Sequence, residues 1–327
     1  MRIAIARLRS GVKYVGPLNH IIDSFCECLV YFMAKNKQHE YSFYNITFDG
    51  SKPVRDLKAL ERADVIIIPS EAEFTYNIPG RMHPQQVKRS NDEVAKIIPY
   101  LKGKKVIILR SDRRDDKELY AKVLGTDYTY DEIDEIDFPN NIHSLKYHYI
   151  VRHIPLLSDD SFRYDFCYWG TDKRKGIDGK LSGDERHLVL KGIQKDKSLS
   201  SLFIGSFYGF KRDVKFSAMK DILHFLRVSR TTLCFNWMDN KATTSRYIEA
   251  IASGMYPFVW GNYDSTGIFV KNDWQRVHTI KEFVDKVKSL DYNYYENYDS
   301  IHHSFKKNLL SEIAYYDLFE EKLKGKL

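Results

Sequence analysis

Residues 241–260 read KATTSRYIEAIASGMYPFVW and decide the fold. An apolar run at residues 231–237 precedes this stretch, and within it apolar residues recur at helical spacing until Gly254 ends the pattern. A second apolar run, residues 257–260, follows directly. The stretch therefore predicts a strand, a loop, a short helix and a second strand, which is a building unit of α/β folds.

Two charged side chains, Arg246 and Glu249, stand three residues apart at the start of this predicted helix. They would project from one face, close to the backbone N–H groups of the helix N-terminus. A guanidinium fork and a carboxylate in that place suit a ligand that carries both phosphate and sugar hydroxyls. The alternative is a solvated ion pair on an ordinary helix, and the spacing alone does not separate the two.

The chain has 327 residues, more than one hydrophobic core usually holds, which predicts two domains. Hydrophobic residues make up 43% and charged residues 29%, so the chain can bury proper cores and is not a disordered polymer. Lysine and arginine number 51 against 44 aspartates and glutamates, which gives a net charge of +7. This excess permits anionic partners such as nucleotides or nucleic acid without requiring them.

Four cysteines, Cys26, Cys28, Cys167 and Cys234, fall inside apolar patterns and lack the paired spacing of a metal site. We expect reduced, buried thiols and a cytoplasmic setting. The first residues lack the apolar segment of a signal peptide, and no run approaches the length of a membrane span. We therefore expect a soluble protein without a membrane partner.

The first half of the chain alternates predicted strands and helices. Continuous apolar runs such as residues 63–69 are typical of strands that are buried on both faces of a parallel sheet. Gly11 and Gly16 follow the first strand, but they lack the full glycine pattern of a nucleotide-binding loop. Predicted strands cover residues 2–8, 41–48, 63–69, 104–110 and 145–154, predicted helices cover 17–35, 54–62, 91–101 and 117–123, and 127–141 is an acidic surface segment.

A linker predicted at residues 155–161 leads into a second half with the same alternation. Predicted strands cover 164–170, 201–205, 231–237 and 257–260, and predicted helices cover 184–193, 216–228, 280–290 and 298–323. The predicted class is α/β with two Rossmann-like domains, residues 1–158 and 159–300. A final helical segment, residues 301–327, is placed to cross back to the first domain.

Asp112 is the second residue after the buried strand predicted at 104–110. Ligands of open α/β sheets bind beyond the carboxyl ends of the strands, so a carboxylate there can act as a general base on an incoming hydroxyl. The alternative is an N-cap of the helix predicted at 117–123, for which Asp115 or Asp116 would serve better.

Three stretches, residues 107–114, 165–171 and 244–253, together resemble the GT-B nucleotide-sugar glycosyltransferases. The closer similarity is to the bacteriophage DNA β-glucosyltransferases that act on 5-hydroxymethylcytosine, and it is best where Arg246-x-x-Glu249 precedes a small-residue triplet. The resemblance implies a GT-B fold, in which two Rossmann-like domains face a central cleft. It also implies that Arg246 contacts the diphosphate or ribose of UDP and that Glu249 holds the ribose hydroxyls.

The resemblance implies further contacts to the donor on the second domain. A strand-end glycine turn and the basic loop after it stand where the family binds pyrophosphate; the residues are Gly170, Thr171, Lys173, Arg174 and Lys175. Residues 204–212 resemble the same turn, but the first assignment is preferred because it begins the second domain. Phe207 or Tyr208 would then stack on uracil.

On the first domain the resemblance makes Asp112 the catalytic base. His20 and Asp23 lie where the family has a sugar-binding acidic residue, but in no clear register, which leaves the sugar open between glucose and a pentose. Basic residues near the strand ends could hold DNA phosphates, although each is equally explained as a solvated surface cation. These residues are Arg81, Lys88, Arg89, Arg113 and Arg114.

The implied reaction is inverting transfer of a sugar from a UDP-sugar to the hydroxymethyl group of a modified pyrimidine in double-stranded DNA, with the base flipped out of the helix. No Asp-x-Asp or histidine cluster demands a metal, and a divalent ion is left open. We expect a monomer, located in the host-cell cytoplasm if a phage encodes it. Two alternatives remain: a GT-B transferase that acts on a glycan, lipid or protein, and a nucleic-acid-binding module without activity.

Overall fold

The protein folds around two parallel sheets. The computed structural model describes residues 1–6, 24–44, 46–49, 52–55, 57–68, 97–110, 130–134, 137–139, 142–153, 162–172, 184–207, 213–214, 219–235, 244–264, 267, 269–270, 272–290 and 294–327. Within these residues each of the two sheets has five strands, and the register is parallel throughout. Helices cover the sheets, as is expected for strands that are apolar on both faces.

The first sheet has the spatial order β2-β1-β5-β6-β7. Its central strand β5 is buried at every position, which agrees with the apolar run seen in the sequence. The strands of the first half are β1 (Arg2–Ala6), β2 (Glu40–Tyr44), the antiparallel hairpin β3 (Ile46–Asp49) and β4 (Lys52–Arg55), β5 (Val65–Ile68), β6 (Lys105–Arg110) and β7 (Tyr130–Asp134).

The second sheet has the order β9-β8-β10-β11-β12, which repeats the topology of the first. In both sheets the first strand lies between the second and the third, so the order of the chain reverses beside the first strand. The strands are β8 (Tyr164–Asp172), β9 (Ser201–Phe207), β10 (Ser229–Cys234), β11 (Tyr256–Trp260) and β12 (Arg276–Val277). The predicted α/β class with two Rossmann-like halves is confirmed.

Helices connect the strands and extend the chain beyond the second sheet. They are α1 (Ser24–Lys35), α2 (Leu57–Arg62), α3 (Leu145–His153), α4 (Asp184–Lys195), α5 (Met219–Arg227), α6 (Ser245–Ala252), α7 (Ile280–Ser289), α8 (Tyr294–Lys307) and α9 (Glu312–Lys326). Short 3-10 turns lie at Ile142–Ser144 and Asp273–Gln275.

The strand predicted at residues 145–154 is wrong, because this segment forms helix α3. Tyr147 and Ile150 are buried three residues apart, while Val151 and Arg152 are exposed, which is the one-sided burial of a helix. A short apolar run does not by itself distinguish a strand from a buried helix, and here the packing between the two halves decides.

Residues 127–141, which were predicted to be an acidic surface segment, contain the edge strand β7. Strand β7 pairs with β6 and buries Ile133. Its acidic side chains are partly balanced from the neighbouring strand, since Nη1 of Arg110 lies 3.3 Å from Glu132 and 3.6 Å from Asp134. Charged residues are typical of edge strands, where they discourage pairing with another chain.

One predicted helix is wrong in part. Residues 54 and 55 belong to strand β4, and helix α2 begins only at Leu57. The segment predicted as helical at 298–323 forms two helices, α8 and α9. Ser311 begins the second one, because its side-chain oxygen accepts a hydrogen bond of 3.2 Å from the backbone N–H of Ala314.

Helix α3 contributes to the cores of both halves. Leu145 packs in the core of the first sheet, together with Ile142 from the preceding turn. Tyr147 and Ile150 pack in the core of the second sheet. The helix therefore packs between the two halves and contributes buried side chains to both.

The last helix, α9, packs against the first half. Its buried residues Tyr315, Phe319 and Leu323 join the core of the first sheet. Glu320 of this helix lies 2.7 Å from Nζ of Lys35 on α1, and Lys324 and Lys35 lower the pKa of this carboxyl to about 2. The domain limits after residues 158 and 300 stay predictions.

Two further predictions concern the thiols and the membrane. Cys28, Cys167 and Cys234 are buried, as expected, and the side chain of Cys26 lies outside the described residues. In the part of the chain that the structure describes, no helix combines the length and the apolar character that crossing a bilayer requires.

Candidate functional site

The candidate site lies at the carboxyl ends of β8, β9 and β10. The chain order reverses between β8 and β10, and ligands of doubly wound sheets bind at this reversal. Helix α6 begins at Ser245, ten residues or so after β10 ends, and carries Arg246 on its first turn. Three chain segments therefore meet at one edge of the second sheet.

Two glycines lie side by side at this edge. Gly170 of β8 pairs with Gly205 of β9, and each has φ +139°, a conformation that side chains with a Cβ rarely adopt. A Cβ on Gly205 would lie 1.8 Å from the carbonyl oxygen of Gly170, and one on Gly170 would lie 2.8 Å from Nη2 of Arg246. The two stretches that resemble the glycine turn are thus neighbours in the same edge.

We expect Gly205→Ala to lower the free energy of unfolding by about 3 kcal/mol, because it combines an unfavourable φ with a backbone overlap. Gly103→Ala is the matched control, since Gly103 also has a positive φ, +72°, but no atom within 4 Å of the added Cβ. We expect about 1 kcal/mol for the control. Urea unfolding measures both values, and equal losses would show that the contact with Gly170 does not matter.

Arg246 is fixed against strand β8. Its guanidinium carbon lies 4.1 Å from the ring centroid of Tyr168, a cation–π contact, and its Nη2 donates a hydrogen bond to the carbonyl oxygen of Trp169. Its Nε is buried and has no acceptor among the residues that the structure describes. A partly buried guanidinium with a buried, unused N–H donor is suited to an anionic group that enters from the strand ends.

Glu249 is buried and does not form a surface ion pair with Arg246. Its Oε2 accepts a hydrogen bond of 2.8 Å from Nε1 of Trp169, and its Oε1 lies 3.3 Å from Nζ of Lys146 on α3. The side chains of Lys146 and Glu249 are 4% and 6% exposed. The alternative of a solvated i,i+3 pair is therefore wrong for this residue.

Helix α6 is held in place along its whole length. At its start, the backbone N–H of Thr244 donates to the hydroxyl of Tyr263 at 2.6 Å. In its middle, the buried Tyr247 accepts from Gln275 at 3.1 Å. At its end, the hydroxyl of Tyr298 donates to the carbonyl of Ile251 at 2.6 Å. Arg246 and Glu249 thus project from a rigid support.

Two thiols, Cys167 and Cys234, lie near Arg246 but do not form ion pairs with it. Burial raises the pKa of Cys167 and of Cys234 to about 12. Both groups stay protonated at neutral pH, so neither is a nucleophile or an anion in this site. The charge of Arg246 remains available to a ligand.

The structure describes five of the residues predicted for this site. Gly170 and Arg246 lie together, Glu249 lies beside Trp169, and the backbones of Thr171 and Phe207 continue β8 and β9 towards the same edge. The others lie outside the described residues: His20, Asp23, Arg81, Lys88, Arg89, Asp112, Arg113, Arg114, Lys173, Arg174, Lys175 and Tyr208.

Sequence reasoning missed Lys146 and the indole of Trp169. Trp169 stands directly before Gly170, in a stretch that was recognised for its glycine only. Lys146 was missed because its segment was predicted to be a strand, and a lysine in an isolated strand gives no indication that its side chain is buried. Among the described residues, no group of three or more His, Cys, Asp or Glu side chains could hold a metal ion.

Comparison with solved structures decides the fold. The chain superposes on T4 phage beta-glucosyltransferase in complex with its UDP-glucose substrate with a TM-score of 0.60 at 14% identity, over 98% of this chain and 99% of that chain. The chain has the GT-B fold. The same values hold for the T4 phage enzyme in complex with UDP and Mn²⁺.

A further solved structure, of the DNA modifying enzyme beta-glucosyltransferase, matches with a TM-score of 0.59 at 14% identity over the same shares of the two chains. No protein-family profile matches the sequence, and no curated protein sequence matches it. The GT-B similarity is thus one of structure, over nearly the whole length of both chains.

Proposed function

We propose that this protein is a UDP-sugar-dependent glycosyltransferase that modifies DNA. The observation that supports it most directly is the partly buried guanidinium of Arg246, which is stacked over Tyr168 and has a buried, unused Nε donor at the reversal point of the second sheet. The GT-B fold adds support, because the T4 phage enzyme of the same fold takes UDP-glucose as its substrate. Arg246 would bind the diphosphate, and Glu249 the ribose hydroxyls.

The proposed acceptor is the hydroxymethyl group of a modified pyrimidine, 5-hydroxymethylcytosine in the first instance. Because that group lies within a stacked duplex, the nucleotide must be flipped into the site, which costs a few kcal/mol. The basic residues Arg81, Lys88, Arg89, Arg113 and Arg114 would hold the phosphates around it.

The proposed chemistry is a single displacement with inversion. Asp112 takes the proton from the hydroxymethyl oxygen, this oxygen forms a bond to the anomeric carbon, and the bond between that carbon and UDP breaks. The leaving diphosphate gains negative charge, which Arg246 and the basic residues Lys173, Arg174 and Lys175 would stabilise. His20 and Asp23 would contact the sugar, and Phe207 or Tyr208 the uracil.

The test incubates the protein with duplexes that contain cytosine, 5-hydroxymethylcytosine or 5-hydroxymethyluracil and with a panel of UDP-sugars, with Mn²⁺ or with a chelator. We expect a mass increase of one sugar on a hydroxymethylated nucleoside only. Asp112→Asn should abolish transfer and leave UDP affinity unchanged, because the base acts on the acceptor. UDP binding without transfer to any DNA would point to a glycan, lipid or protein acceptor, and absence of both would leave a nucleic-acid-binding module.

A further inference from the structure

The carboxylate of Glu249 is held from two sides by residues of two different elements. Nε1 of Trp169, on β8, donates to Oε2, and Nζ of Lys146, on α3, contacts Oε1. All three residues are at least 95% buried. Each carboxylate oxygen can accept two hydrogen bonds, so these contacts leave one acceptor direction on each oxygen.

Stability alone does not account for this arrangement. Removing a lysine and a carboxylate from water costs several kcal/mol for each ion, and a buried ion pair is often no more stabilising than apolar residues of the same size. Position 146 lies between the buried residues Leu145 and Tyr147, so an apolar side chain would fit the pattern of α3. The presence of a buried ion pair at this position therefore points to a functional role for the carboxylate of Glu249.

The location of Lys146 agrees with a role in the candidate site rather than with a role in stabilising one hydrophobic core. The residue lies on the helix shared by both halves, and its charge also reaches Glu27 on α1. Burial and the charge of Glu312 raise the pKa of Glu27 to about 7, and Arg152 and Lys146 act in the opposite direction. The only hydrogen-bonded carboxylate partner described for Lys146 is nevertheless Glu249.

We propose that Lys146 and Trp169 are positioning residues, which orient the Glu249 carboxylate so that its two remaining acceptor directions receive the 2′ and 3′ hydroxyls of the donor ribose. This inference rests on the proposed function. The ammonium group supplies the charge that a buried carboxylate needs, and the indole N–H fixes its rotation. The consequence is selectivity for a ribonucleotide over its deoxy form.

The test compares the affinity of the full chain for UDP and for 2′,3′-dideoxy-UDP by titration calorimetry. For the natural sequence we expect UDP to bind about 30-fold more tightly, because two hydroxyls donate to an ionised carboxylate. Lys146→Met should weaken UDP binding about tenfold and leave the affinity for the dideoxy compound unchanged. Trp169→Phe, which keeps an aromatic ring and the backbone carbonyl but removes the indole N–H, should act in the same way but more weakly.

The control is Arg152→Met on the same helix, which removes the ion pair with Glu312 at 2.9 Å. It should change neither affinity. Should Lys146→Met fail to fold, Trp169→Phe decides the question alone. Equal losses for UDP and the dideoxy compound would mean a purely structural role and overturn the inference, as would unchanged affinities. A natural chain that binds no UDP would overturn the proposed function as well.

Discussion

Arg246→Ala is expected to weaken UDP binding about 100-fold. The guanidinium would make charge-assisted hydrogen bonds to the diphosphate, each worth about 1.5–3 kcal/mol, from a position that is already fixed over Tyr168. Because the side chain is ordered before the ligand arrives, little of this energy is lost in immobilising it. Arg246→Lys should recover only part of the affinity, since a lysine keeps the charge but not the planar fork.

Arg230→Ala is a suitable control, measured by the same titration. Arg230 also lies over an aromatic ring, 5.6 Å from the centroid of Phe162, and its Nη1 is 3.8 Å from Asp165. It stands near the amino end of β10, however, whereas the candidate site is at the carboxyl end. The control should bind UDP like the natural chain. Equal affinities for the Arg246 and Arg230 variants would remove Arg246 from the donor site.

Glu249→Ala is expected to lower the free energy of unfolding by about 3–5 kcal/mol. The substitution leaves the buried ammonium of Lys146 without its partner and the indole N–H of Trp169 without an acceptor. Removing one member of a buried pair costs more than the pair itself contributes, because the remaining charge stays desolvated. The double variant Lys146→Met, Glu249→Met should therefore regain most of the lost stability.

The control for this loss is Glu312→Ala, which breaks the pair with Arg152; the side chains of Glu312 and Arg152 are 21% and 53% exposed. A pair that water reaches in this way should cost less than the buried pair, about 1 kcal/mol. Urea unfolding of all variants gives the comparison. A loss for Glu249→Ala no larger than for Glu312→Ala would show that the carboxylate is not needed to balance Lys146.

Local sequence patterns were sufficient for most of the strands. The runs that became Val65–Ile68 and Lys105–Arg110 are apolar on both faces, so their burial does not depend on which neighbour covers them. The segment that became α3 was different, because its burial is divided between two cores that meet only in the folded chain. No local pattern carries that information.

In the candidate site, too, some features follow from the local sequence and others depend on contacts between residues that are distant in the chain. Arg246 and Glu249 became candidates through their spacing on one helix, which is a local property, and the resemblance to the GT-B transferases supplied their roles. The partner of Glu249 on α3 lies 103 positions earlier in the chain, and the contact depends on how two helices cross. The pairing of Gly170 with Gly205 likewise depends on the order of strands in the sheet, which the sequence had presented as two competing assignments.

Helix α3 packs in both hydrophobic cores, and this limits how the protein can be cut into fragments or recombined with another protein. A cut within residues 155–161 would leave Tyr147 and Ile150 on a fragment that lacks the core in which they are buried. The same cut would detach Lys146 from Glu249. The halves are therefore not interchangeable modules, and a chimera that borrows the second half from another protein would need to take α3 with it.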